Sequence, residues 1–120
     1  MKLVIAYIRP RRLNAVKQAL FNRDVLKISV SNALGCGDEP GYYENYRGAG
    51  AEVDLRKRIR LEIAVNEPYV DKVIEAICEG ARTESVGDGK IFVIGLERCV
   101  RIRTGETGDE AIGRPAANLA

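Results

Sequence analysis

A chain of 120 residues has room for one domain, and its 46% hydrophobic and 30% charged residues are the balance of a globular protein. The formal net charge is only +2, with both signs spread along the chain, which argues against a nucleic-acid-binding or membrane-surface protein. Histidine is absent, which removes the commonest acid–base catalyst and transition-metal ligand, and the three cysteines form no CxxC pair.

The opening MKLVIAYIRP has a short apolar run but no small-residue cleavage site. No stretch approaches the roughly 20 apolar residues of a membrane span, so a cytoplasmic protein with no membrane insertion is expected. Residues 2–9 are rich in β-branched and aromatic types and predict a strand. Pro10 ends it and opens a helix over 11–23, where Leu13, Val16, Ala19 and Leu20 recur at helical spacing. Residues 25–34 predict a second strand, closed by Gly35-Cys36-Gly37. Residues 37–55 then lose periodicity. They are rich in Gly and acidic residues and carry Tyr42, Tyr43 and Tyr46, which suits a functional loop that binds through its tyrosines.

Residues 58–65 alternate: Ile59, Leu61, Ile63 and Val65 share one face, and Arg58, Arg60, Glu62 and Ala64 the other. The basic run Arg56, Lys57, Arg58 and Arg60 reads as a solvated strand edge. Asn66-Glu67-Pro68 starts a second helix whose apolar stripe is Val70, Val73, Ile74, Ile77 and Ala81. A turn-rich link, residues 82–90, leads to strands at 91–95 and 97–103, with Cys78 and Cys99 read as core residues. The tail from Thr104 is expected to be ordered only at its start. The order β-α-β, long loop, β-α-β specifies an α+β, ferredoxin-like split fold of βαββαβ type. Helices would cover one sheet face. The first, second and fourth strands carry apolar residues on both sides, so the other face calls for subunit association.

Two stretches carry chemistry. In Gly87-Asp88-Gly89-Lys90 the glycines allow the backbone to approach a phosphate and Lys90 adds a charge, although such a turn is as well suited to a plain connection, and the P-loop spacing is missing. In Arg101-Ile102-Arg103, strand alternation would put both guanidinium groups on one face, about 7 Å apart, with Val100 and Ile102 in the core. A salt-bridged outer face is the alternative. Three cations suit an anion such as ATP or ADP better than a metal, and no catalytic constellation is present, so no enzyme is expected. The runner-up is a small enzyme or metal-handling protein on the same fold. An RNA-binding module is disfavoured, because Phe92 is the one aromatic in the third to fifth strands.

The block VGDGKIFVIGLERCVRIRTGE (residues 86–106), the opening IAYIRPRRLNAVKQAL and the loop segment Tyr46-Arg47-Gly48-Ala49 together resemble the PII signal-transduction proteins, over about 110 residues. The resemblance implies a homotrimer with adenine-nucleotide sites (ATP, ADP or AMP) in the inter-subunit clefts. Gly87, Asp88, Gly89 and Lys90 would line the phosphates, with Arg101 and Arg103 reaching across the cleft. Ser29 and the backbone around Ala64 would hold the adenine end, and Gly35 and Gly37 would sit at the base of a mobile T-loop. That loop, residues 37–55 with Tyr42, Tyr43, Tyr46 and Arg47, would dock on a partner such as a membrane transporter, a regulatory enzyme or a kinase. The implied domain runs over 1–112, with 113–120 a flexible tail.

The departures from the family pattern bear on ligand choice. Glu39 replaces a Gln that helps hold magnesium and 2-oxoglutarate. A carboxylate there can hold magnesium but repels a dicarboxylate, so weak or absent 2-oxoglutarate binding is expected. Asp38 stands where many members have a cation on the outer phosphates. Arg58 replaces a Lys, Glu84-Ser85 a Gly-Lys, and Ala51 the tyrosine that one branch uridylylates.

Overall fold

The computed structural model describes residues 1–35 and 55–113. The expected functional loop, apart from Leu55, and the tail beyond residue 113 lie outside the described residues. Seven elements follow in chain order. They are β1 (Lys2–Ile8), α1 (Leu13–Phe21), β2 (Ser29–Gly35), β3 (Arg56–Val65), α2 (Val70–Ala81), β4 (Gly89–Gly95) and the short helix α3 (Asp109–Ile112). The sheet order is β2-β3-β1-β4, antiparallel throughout, which is the expected ferredoxin-like α+β architecture.

Both long helices begin on a proline. Pro10 opens a 3-10 turn (Pro10–Arg12) ahead of α1, and Pro68 sits in another (Glu67–Tyr69) ahead of α2. Proline fits there because its missing N–H would have no helical partner. Val4, Ala6 and Ile8 of β1 and Leu61, Ile63 and Val65 of β3 face the helices and are buried against Val16, Leu20, Val73 and Ile77. The two helices cross closely at Gly80, where a Cβ would lie 2.5 Å from the Val16 Cα. Arg12 Nε donates to the Gly80 carbonyl at 2.8 Å, and Arg23 Nη1 pairs with Glu79 at 2.6 Å, tying the helix ends together.

Among the described residues no helix packs on the opposite face of the sheet. Register places Leu3 beside Ile94 and Ala64, Ile5 beside Phe92 and Glu62, and Tyr7 beside Lys90 and Arg60. Phe92 and Ile94 remain 49% and 47% exposed. The apolar second face is therefore real for β1 and β4. On β2 it is not: Ser29, Ser31 and Ala33 lie there, while Val30 and Leu34 lie on the helix side.

Residues 97–103, expected as a strand, are not one. Val100 makes a single bridge to Thr107, Arg101 N donates to Glu106 O at 2.8 Å, and residues 102–104 are a turn. The alternating apolar residues promised a strand, but Thr104-Gly105, with Gly105 at φ 77°, folds the segment back on itself. Val100 and Ile102, expected in the core, are 51% and 99% exposed in the single chain. Cys78 and Cys99 are half-buried rather than core residues. α3 follows this hairpin and was not foreseen.

Candidate functional site

The Gly87–Lys90 corner is built onto the first strand. Gly89 pairs with Ile8 and Lys90 with Tyr7. Gly87 and Gly89 have φ of 99° and 113°, conformations that suit glycine. At Gly89 space is the stricter limit, since a Cβ would come within 1.8 Å of the Tyr7 carbonyl oxygen.

Asp88 is a brace for this corner. Its Oδ2 accepts from Thr83 N (2.7 Å) and Glu84 N (2.9 Å), and its Oδ1 from the Thr83 hydroxyl and from Arg9 Nε (3.4 Å). The Thr83 hydroxyl, followed by the Thr83 and Glu84 amides and Arg9, outweighs partial burial and draws the Asp88 carboxyl down to about 2. Both carboxylate oxygens of Asp88 are thus engaged in bracing the corner next to Gly87 and Gly89. Glu84 is held at φ 64°, a strained position for a side chain.

Arg9 is the residue the sequence reading missed. It reaches across from the end of β1 and donates through Nη2 to the Val86 carbonyl at 2.6 Å, so one side chain grips the loop at two points. Burial, and then the nearby charge of Arg9, lowers the Arg58 guanidinium from its ordinary value. The signal that could have found it is weak: an arginine just before a helix-opening proline looks like any solvated strand end.

Lys90 is exposed on the open sheet face. Beside it the Arg60 guanidinium lies 6.0 Å from the Tyr7 ring centroid and 3.6 Å from Glu62. Ser29, opposite Glu62, and Ala64, two residues along β3, lie on the same face at the other side of the sheet. Ser29 on β2 and Lys90 on β4 are three strand spacings apart, roughly 14 Å. One chain therefore gathers Ser29 and Ala64 together on β2 and β3, and Gly87 to Lys90 together at β4, with β1 between the two sets. Gly35 ends β2 beside Arg56, next to a cleft of about 370 Å³ that includes Asn32, Lys57 and Arg58. A smaller cleft of about 200 Å³ lies behind Gly89 and Lys90, against Ile77 and Cys78.

The two arginines do not share a strand face. Arg101 is half-buried and holds Glu106 Oε1 at 2.7 Å and the Glu110 and Ala111 carbonyls at 3.1 and 3.3 Å. Arg103 stands exposed in the turn. Gly37, Asp38, Glu39, Tyr42, Tyr43, Tyr46 and Arg47 lie outside the described residues.

The profile of the family described as "Nitrogen regulatory protein P-II" matches residues 1–106. The chain belongs to the P-II family. Among its relatives is the nitrogen regulatory protein GlnK1 of Methanosarcina mazei, 49% identical over 114 residues, covering 93% of this chain and 97% of the relative. The nitrogen regulatory protein P-II of Rhodobacter capsulatus is 46% identical over 112 residues, covering 93% and 100%. The P-II 2 protein of Methanothermobacter thermautotrophicus is 43% identical, covering 93% and 97%. The chain is thus a P-II signal-transduction regulator rather than an enzyme, and P-II regulators work by contacting partner proteins. No helix among the described residues is long and apolar enough to cross a membrane.

Proposed function

We propose that this P-II protein binds an adenine nucleotide (ATP, ADP or AMP) between the subunits of a homotrimer and controls a partner through residues 37–55. The observation that carries the reading is the split site. Gly87, Gly89 and Lys90 form an anion-receiving corner at the β4 edge, while Ser29 and Ala64 lie on β2 and β3, beyond β1. We read the two sets as half-sites, each completed by a neighbouring chain. The apolar face of half-buried Leu3 and Ile5 and exposed Phe92 and Ile94 supports assembly through the sheet, and the number three is part of the proposal. Lys90, Arg101 and Arg103 contact the phosphates.

The P-II domain spans 1–112, followed by the tail 113–120, and the protein is cytoplasmic. Its partner is a membrane transporter, a regulatory enzyme or a kinase, docked through Tyr42, Tyr43, Tyr46 and Arg47. Gly35 and Gly37 form the base of that loop. Asp38 beside the outer phosphates lets ADP or AMP compete well with ATP. Magnesium, if bound, is held through Glu39, and no part of the reading runs through it. The charge of Glu39 keeps 2-oxoglutarate binding weak or absent, although Arg9 and Arg58 lie together at the end of the sheet.

The test is sedimentation equilibrium with calorimetric titration of ATP, ADP, AMP and 2-oxoglutarate. The expected result is a species near three times 13.2 kDa that binds nucleotide with saturable heat. A concentration-independent monomer, or no nucleotide heat, overturns it.

A further inference from the structure

Arg101 faces two demands. Its Nη1 donates to Glu106 Oε1, and its Nη2 donates to two carbonyl oxygens of α3, those of Glu110 and Ala111. A guanidinium has five N–H groups and two edges that can grip an anion bidentately, Nε with Nη2 and Nη1 with Nη2. Both edges need an Nη2 hydrogen, and Nη2 makes two hydrogen bonds to α3. A two-point grip on a phosphate therefore requires that α3 give up at least one of them.

α3 depends on such outside help. It has only four residues, and its own helical closure is Ile112 N to Gly108 O at 3.3 Å and Gly113 N to Asp109 O at 2.9 Å. A helix this short has no stability of its own in water. Asn66, at the end of β3, holds it from the other side, its Nδ2 donating to Asp109 O at 3.1 Å and Gly113 O at 3.4 Å. Two side chains from elsewhere thus satisfy the carbonyls of residues 109, 110, 111 and 113, with buried Ile112 as the anchor.

We propose that nucleotide phosphate and the α3 carbonyls compete for Arg101, so that nucleotide binding loosens residues 109–113. The proposal rests on the reading of Arg101 as a phosphate contact. Linkage makes the effect reciprocal: whatever loosens α3 tightens nucleotide binding. Asn66 then acts on the nucleotide site through α3. It is a positioning residue that keeps Arg101 occupied without touching the ligand, and it makes no helix-cap bond whose loss would confuse the result. Removing its two bonds shifts α3 toward release and should tighten ATP binding about threefold to tenfold.

The experiment is calorimetric titration of ATP into the wild-type full chain and Asn66→Ala, with amide hydrogen exchange of the wild type with and without ATP. The expected results are tighter binding by Asn66→Ala and faster exchange at the Ile112 and Gly113 amides when ATP is bound. Asn66→Ala changes no charge, and a merely structural Asn66 would weaken binding or leave it unchanged; either outcome overturns the proposal. If the variant does not fold, the wild-type exchange decides alone. Binding of ATP with unchanged or slower exchange at Ile112 and Gly113 rejects the competition but keeps the nucleotide reading. Failure of the wild type to bind ATP overturns both.

Discussion

The loop of residues 83–90 and the hairpin of residues 99–108 lie close to opposite ends of β4, and they are held in different ways. The first is locked by backbone contact. Gly89 lies against the Tyr7 carbonyl, and Asp88 and Arg9 close the loop from within and from β1. The second is closed by its own backbone bonds, such as Arg101 N to Glu106 O and Gly108 N to Cys99 O, and its tie to α3 is made by the Arg101 guanidinium reaching for carbonyls. A contact made by backbone packing leaves no alternative partner. A contact made by a guanidinium can be exchanged for another anion or carbonyl at small net cost. The difference separates a rigid receiver from an adjustable one.

The largest expected effect breaks the rigid half. Gly89→Ala places a Cβ inside the contact distance of the Tyr7 carbonyl and strains φ as well. A loss of about 4 kcal/mol is expected, enough to unfold much of the protein, and urea denaturation measures it. A loss below about 1 kcal/mol would show that β4 can move away from β1 and that the corner is not locked.

Next come the cations. Lys90→Ala and Arg103→Ala should each weaken ATP binding about 10- to 150-fold, the value of a charged hydrogen bond of about 1.5–3 kcal/mol. Calorimetry decides, and wild-type affinity in both variants rejects the site. If Arg103→Ala alone is silent, the adjustable half does not reach the nucleotide.

Asp88→Asn sharpens the comparison with the smallest effect. The Asp88 carboxyl sits at about 2, below its ordinary 3.8, so the native state favours the charged form. Its contribution is fully present above about pH 4 and is lost as pH falls through about 2. The variant should be less stable than the wild type at pH 7, by about 1–2 kcal/mol for the weakened bonds, and the two should converge near pH 2. Denaturation curves at pH 7, 4 and 2 measure this. A constant difference across that range would show that the charge of Asp88 does not brace the loop.

Much of this was legible in the residues themselves. Alternation along 58–65 assigned Leu61 and Ile63 to the core face and Arg60 and Glu62 to the other, because a strand's side-chain period is two wherever it lies. The apolar stripe of Val70, Val73 and Ile77 located α2 for the same kind of reason. Gly87-Asp88-Gly89-Lys90 marked a place where the backbone must bend. Only the tertiary structure decided what these residues touch. Arg9 grips Val86 and Asp88 from nearly eighty residues away, and Asn66 holds α3 from the end of β3. Neither pairing leaves a local pattern, since the partners are distant in the chain and, apart from the Asp88 carboxylate, are main-chain oxygens that every residue carries. The strand expected at 97–103 failed for a related reason. Cys-Val-Arg-Ile-Arg has the alternation of a strand, but pairing needs a neighbour, and the turn at Gly105 supplied one from the same segment. Periodicity reports which way side chains would point; which backbone lies alongside is set by the fold as a whole.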